Sequence, residues 1–64
     1  MKVYIVNKET NELVFQSNEI YRVFEKTLYD KEGEKQKYFA VEDRNGYTEL
    51  FKKSLHRVFK EVQW

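Results

Sequence analysis

The 64-residue sequence contains no cysteine, no proline, one histidine and two glycines, Gly33 and Gly46. Without cysteine the chain forms neither disulfides nor thiolate metal sites, and one histidine cannot build a zinc centre without several carboxylates or a second chain. Two isolated glycines do not make a phosphate-binding loop. We therefore predict that the protein binds no metal and no cofactor.

Long apolar runs are also missing. No segment approaches the roughly 18 consecutive apolar residues that indicate a membrane span. The apolar run near the N-terminus is too short for a secretory signal peptide. No linker, repeat or low-complexity segment divides the chain, which predicts one domain over residues 1–64. We expect a cytoplasmic protein that does not bind membranes.

Aromatic residues, in contrast, are abundant at 17% of the chain. A chain of this size buries only about 60% of the surface that its unfolded form exposes. Aromatic side chains bury large areas, so we expect an aromatic core, with a homodimer as a further way to cover apolar surface. The richness in Lys, Glu, Asn, Tyr and Phe is typical of AT-rich coding, as in a low-GC bacterium or one of its phages.

The first half of the chain predicts strands. Lys2–Val6 is dense in β-branched and aromatic residues, and Glu12–Gln16 forms either a second strand or a connecting loop. Glu19–Tyr29 fits an amphipathic helix by its apolar spacing. Its content of strand formers and the solvated loop around Gly33 that follows it favour a strand leading into a hairpin.

Residues 38–53 predict the clearest hairpin. A two-residue turn at Asn45 and Gly46 would place Glu42 opposite Glu49, which is unfavourable for like charges. A type I turn with a bulge avoids this clash, with Gly46 at positive φ and Asp43 paired with Tyr47. The resulting cross-strand pairs are Phe39 with Phe51, Ala40 with Leu50 and Val41 with Glu49.

The C-terminal segment allows two structures. Phe51, Leu55, Val58, Phe59 and Val62 recur at the spacing of an amphipathic helix, and this periodicity by itself favours a helix. The alternative is a 3₁₀ turn at Ser54–Arg57 followed by a strand at Val58–Val62.

Three stretches carry a resemblance to a known family: NEIYRV at 18–23, YFAVEDRNGYTELF at 38–51 and KSLHRVFKEV at 53–62. Together they resemble small SH3-like β-barrel proteins, many of them from phages of Gram-positive bacteria. The resemblance implies a strand, a long hairpin, a second hairpin, a 3₁₀ turn and a final strand.

We therefore predict a mainly β fold: a small SH3-like antiparallel β-barrel or strongly bent sheet of about five strands. The alternative is an α+β fold, an antiparallel sheet with a C-terminal helix. In both, the predicted core consists of Val3, Ile5, Val23, Phe39, Val41, Phe51 and Val58.

The sequence offers no catalytic constellation. His56 is the only side chain that ordinarily titrates near neutral pH, and it has no recognisable nucleophile partner. The paired carboxylates fall in turns or on exposed strand positions, where they make poor general acids. We therefore expect a non-enzymatic protein, with a surface or capping role for His56.

The predicted contacts combine exposed aromatic and basic residues, which are enriched at protein interfaces. Residues 44–64 carry five basic and two acidic residues, so the C-terminal third is the basic part of a chain with net charge +1. Our leading hypothesis is an interaction module, a phage or mobile-element accessory protein that binds and inhibits or otherwise modulates a host or defence protein. The alternatives are a nucleic-acid-binding small β-barrel and a self-assembling homo-oligomer. The candidate partner-binding residues are Tyr29, Arg44, Tyr47, Lys52, Lys53, Arg57 and Trp64.

Overall fold

The computed structural model describes residues 1–61 and consists of six β-strands joined by turns. It confirms the mainly β prediction, with six strands instead of about five. The segment predicted as a strand or a loop at Glu12–Gln16 forms a strand over Leu13–Ser17, and the segment Glu19–Tyr29 forms a strand over Ile20–Tyr29 and not a helix. The strands are β1 (Lys2–Asn7), β2 (Leu13–Ser17), β3 (Ile20–Tyr29), β4 (Lys35–Asp43), β5 (Thr48–Lys52) and β6 (His56–Glu61).

The strands form two antiparallel three-stranded sheets with the orders β2-β1-β6 and β3-β4-β5. Only Asn18 and Glu19 separate β2 from β3. At this bend the amino group of Met1 donates to the carbonyl of Ile20 at 2.9 Å, and the Ile20 N–H donates back to the Met1 carbonyl at 3.3 Å. The two sheets are therefore connected at the bend by a reciprocal pair of hydrogen bonds.

Residues 1–61 do not form a closed barrel. The β5 strand is bonded to β4, and β6 is bonded to β1, so the sequence neighbours β5 and β6 lie in different sheets. A short turn between them, closed by the Leu55 N–H donating to the Lys52 carbonyl at 3.1 Å, sends the chain across to the other sheet. The described part of the chain contains no helix that could cross a membrane.

The C-terminal helix alternative is wrong over the described residues. The chain turns at residues 53–55 and enters β6 at His56, two residues before the predicted strand. Six consecutive β6 residues pair with β1, from His56 opposite Asn7 to Glu61 opposite Lys2. This ladder satisfies backbone groups on both strands and places the half-buried Val58 beside Ile5, so tertiary pairing overrides the helical spacing.

The β4–β5 hairpin has the predicted register. Phe39 lies opposite Phe51, Ala40 opposite Leu50 and Val41 opposite Glu49. Gly46 adopts a φ of 89°, a conformation that costs residues with a Cβ atom, and the Asp43 N–H donates to the Tyr47 carbonyl at 2.9 Å. Asp43 Oδ1 also accepts the N–H groups of Asn45 and Tyr47 at 2.8 and 3.0 Å, which fixes the turn.

The core lies between the two sheets and is aliphatic. Val3 and Ile5 of β1 are fully buried, and Ile20 and Val41 pack with them. The predicted aromatic core is therefore wrong. Phe51 is only half-buried, packed against the border of this cluster. The other predicted core residues that are only half-buried are Val23, Phe39 and Val58.

The β3–β4 loop is organised by Asp30. Its Oδ1 accepts the N–H groups of Glu34 and Glu32, both at 2.9 Å, and its Oδ2 accepts a bond from the Gln36 side chain at 3.4 Å. The bond from Glu34 is the largest cause that holds the pKa of Asp30 below its ordinary value. The ionised carboxylate therefore stabilises the loop.

Replacing Asp30 with Asn should reduce the acid sensitivity of the fold. A carboxylate whose pKa is lowered in the folded state contributes stability above its unfolded pKa and loses it as the pH falls through the folded pKa. For Asp30 this loss begins near about pH 4 and continues below it. Urea denaturation of both proteins at neutral and acidic pH measures the effect, and an equally steep loss of stability in Asp30→Asn would contradict it.

Candidate functional site

The structure divides the predicted contact residues between the two ends of β4. Tyr29 ends β3 opposite Lys35, whereas Arg44 and Tyr47 lie in the β4–β5 turn. Eight residue steps along β4 separate these ends, a distance of roughly 25 Å. Tyr29 and Tyr47 are both well exposed, at 66% and 75%, but they cannot contact one small ligand together.

The basic residues of the C-terminal third do not form one patch. Lys52 pairs with Tyr38 on the outer face of the β3-β4-β5 sheet, and Arg57 pairs with Val6 on the outer face of the other sheet. Lys53 follows β5 and points toward Glu25 of β3. Trp64 lies outside the described residues.

A groove opens between the two sheets beside the β4–β5 turn, and we call it the turn groove. Its volume is about 240 Å³. One wall comes from β2 and the other from β5 with the preceding turn, so two strands from the edges of different sheets face each other across it. The residues that line it are Phe15, Gln16, Ser17, Ile20, Val41, Asp43, Tyr47 and Glu49.

The floor of the turn groove is apolar because it is the open end of the core. Ile20 and Val41 are nearly fully buried, and Phe15 is half-buried opposite Ile5. Phe15 and Phe51 pack with ring centroids 5.3 Å apart, which bridges the two sheets behind the floor. The packing of the core therefore fixes the shape of the surface that a ligand would contact.

The rim of the turn groove is acidic and aromatic. Asp43 contributes its carboxylate, of which the Oδ1 atom accepts both hydrogen bonds of the turn. Glu49 contributes a second carboxylate from an exposed position on β5. The eight lining residues include these two acids and no basic residue. With the exposed ring of Tyr47 beside them, they form an environment that favours a cation through charge and through the ring face.

The opposite end of the molecule is basic. Four lysines from three separate segments line a depression of about 340 Å³, together with Gln36 and Ser54. The β1–β2 turn is held there by the Lys8 N–H donating to the Leu55 carbonyl at 2.8 Å, and the Lys53 N–H donates to the Lys37 carbonyl at 3.0 Å. We call this the lysine depression, and its lysines are Lys8, Lys35, Lys37 and Lys53.

Lys53 is also paired within the protein. Its ammonium group forms an ion pair with Glu25 and lies 5.9 Å from the ring centroid of Phe39. The hydrogen bond from Lys53 lowers the pKa of Glu25. Both side chains remain substantially exposed, at 41% and 56%, so this ion pair contributes little to folding and can open at low cost.

His56 is held in place at the β5–β6 turn by a hydrogen bond and a ring contact. Its Nδ1–H donates to the carbonyl of Lys52 at 2.9 Å, and its ring packs edge-on against Phe51 at 5.6 Å. This bond spans the β5–β6 turn. Among residues 1–61 no cluster of three or more His, Asp and Glu side chains could hold a metal ion.

Sequence reasoning missed much of both surfaces. It named Tyr47 and Lys53, but neither Phe15 nor Ile20 of the turn groove. Lys35 and Lys37 are two positions apart, which places them on the same face of a strand. This spacing is a weak signal of the basic surface that the sequence did contain. Lys8 joins them only through the pairing of β1 with β6.

Compared with protein-family models, curated proteins and solved structures, the chain matches none of them.

Proposed function

We propose that this protein is a non-enzymatic interaction module that binds an extended, basic segment of a partner protein in the turn groove. The observation that carries this proposal is the combination of an apolar floor, two carboxylates and an exposed tyrosine between two edge strands. An apolar floor beside charged and aromatic side chains is a combination that recognises a peptide.

The main chain of an extended segment has hydrogen-bonding partners along this groove. Both β2 and β5 stand at the edge of their sheets, and an edge strand presents backbone N–H and C=O groups to an added strand. Strand addition supplies affinity through the main chain, while pockets for alternate side chains supply specificity. The groove therefore favours a partner that binds in the β conformation.

The side chains of the partner segment are specified by the floor and the rim. An apolar side chain fits over Ile20 and Val41, and a neighbouring Arg or Lys reaches Asp43, Glu49 and the ring of Tyr47. Arginine suits this rim best, because its guanidinium both pairs with carboxylates and stacks on aromatic rings. The predicted recognition motif is therefore an alternation of apolar and basic residues.

The biological setting we propose is a phage or mobile-element accessory protein that modulates a host or defence protein. This setting rests on the resemblance of the sequence to small SH3-like phage proteins. In the structure the EIYRV segment enters β3, two hairpins follow, and a turn leads to a last strand paired with the first, without closure into a barrel over residues 1–61. A small protein of this kind acts by occupying a surface of its partner. Fold alone does not assign the partner.

Selection of peptides from a random library displayed on phage tests the proposed specificity. The immobilised protein should enrich sequences with Arg or Lys alternating with apolar residues, because the groove rim is acidic. The enriched peptides should compete with one another for a single site. Enrichment of acidic sequences, or of none above background, would contradict the proposal.

A further inference from the structure

The lysine depression combines features that single-stranded nucleic acids require. Lys35 and Lys37 alternate on one face of β4, which spaces them by about 6.6 Å along the strand. Lys53 and Lys8 reach the same depression from the β5–β6 and β1–β2 turns. The six residues that line it include four cations and no acid, so the depression favours an anion with several charges along its length.

An aromatic ring stands beside these cations. Tyr29 is directly opposite Lys35 in the β3–β4 ladder, so both side chains lie on one face with their Cβ atoms about 5 Å apart. Tyr29 is 66% exposed. A positively charged track next to an exposed aromatic ring is the arrangement on which single strands bind, with phosphates on the cations and a base stacked on the ring.

We propose that the lysine depression binds the backbone of single-stranded nucleic acid, with Tyr29 stacking on one base. Along β4 the lining residues of the two sites are separated by roughly 13 Å at the nearest, from Lys37 to Val41, and roughly 26 Å at the farthest, from Lys35 to Asp43, so the lysine depression is a site separate from the turn groove. It also differs from a basic C-terminal surface, because three of its four lysines come from residues 8–37. The molecule thereby has an acidic binding end and a basic binding end.

Glu25 lowers the affinity of this site for nucleic acid. Its ion pair with Lys53 competes with any phosphate that approaches the depression. Nucleic acid must displace Glu25 from Lys53 or use the other three lysines alone. Removing the charge of Glu25 should therefore strengthen binding through the release of Lys53, by more than the gain of one unit of net positive charge alone would produce.

Fluorescence anisotropy with a labelled oligothymidine of about 10 nucleotides tests the proposal, since single-strand sites span roughly 4–16 nucleotides. The logarithm of the binding constant should fall with the logarithm of salt concentration with a slope near −2 to −3, because each neutralised phosphate contributes about −0.7. Combined Lys35→Gln and Lys37→Gln should reduce the magnitude of that slope by about 1.4.

Three further variants separate this site from general charge attraction. Tyr29→Ala should weaken binding by about 5-fold or more through lost stacking, and Glu25→Gln should strengthen it several-fold. Lys26→Gln, which removes a lysine from β3 opposite Tyr38 on the outer face, should leave binding nearly unchanged.

Two outcomes would overturn the proposal. One is equal weakening by Lys26→Gln and by a single Lys35→Gln, with no effect of Tyr29→Ala, because this would indicate diffuse charge attraction. The other is tighter binding of a polyglutamate peptide than of the oligonucleotide at the same salt concentration, because this would make an acidic protein the better ligand.

Discussion

Ile5→Ala should destabilise this domain by about 2–5 kcal/mol, which is the range for truncating a fully buried aliphatic side chain. Ile5 has no solvent exposure and pairs with Phe15 on one side and Val58 on the other. Small domains have total stabilities of about 5 kcal/mol or slightly more, so this one substitution removes a large part of the free energy of unfolding. The core has few other fully buried residues to compensate for it.

Thermal and urea denaturation followed by circular dichroism measure this effect. The variant should show a transition shifted far toward low urea or should lack a cooperative transition. Leu13→Ala is the matched control, because Leu13 pairs with the same strand but is 54% exposed. A variant Ile5→Ala as stable as Leu13→Ala would show that the aliphatic cluster between the sheets does not hold the fold together.

Glu49→Lys should weaken the binding of the selected basic peptides by about 10- to 100-fold, a free-energy difference of about 1.4–2.7 kcal/mol. The substitution replaces attraction with repulsion at the rim of the turn groove, and juxtaposed like charges are strongly unfavourable at interfaces. Tyr47→Ala should have an effect of at least about 30-fold if its ring is an anchor of the interface. Both changes are at exposed positions, so the fold should tolerate them.

The chain offers matched controls for both variants. Glu32→Lys introduces the same charge change in the exposed β3–β4 loop, and Tyr29→Ala removes an equally exposed tyrosine at the other end of β4. Isothermal titration calorimetry with one selected peptide should show little change for these controls. If Glu32→Lys weakens binding as much as Glu49→Lys, the peptide responds to net charge and not to the groove.

The β4–β5 hairpin shows which parts of this fold could be predicted from the sequence. Its register followed from local rules alone: the repulsion between Glu42 and Glu49 excluded one turn, and Gly46 offered the positive φ that the other turn needs. The strand state of residues 20–29 likewise followed from side-chain types and the loop after them.

The last strand could not be predicted in the same way. Its inward residue Val58 is followed by Phe59, which is 53% exposed on the outer face, so the alternation of apolar and polar residues typical of a strand is hidden. The same apolar residues coincide with helical spacing. Only pairing with β1, more than fifty residues earlier in the chain, decides between the two structures.

The two surfaces were even less accessible to sequence reasoning. Exposed tyrosines and lysines could be named, but their grouping depends on which ends of the strands meet. Tyr29 and Tyr47 were both predicted as contact residues and lie at opposite ends of β4, while Lys8 and Lys53 are distant in sequence and line one depression. Apart from the alternation of Lys35 and Lys37, the sequence carries no local pattern for a surface whose residues are brought together by strand pairing.

The central claim is that a partner segment binds in the turn groove, and amide NMR shift mapping tests it most directly. Titration with one selected basic peptide should move the resonances of Phe15, Ile20, Tyr47 and Glu49, while those of Lys35 and Lys37 stay unchanged. Shifts concentrated on the outer sheet faces or in the lysine depression, with the groove residues unmoved, would contradict the account.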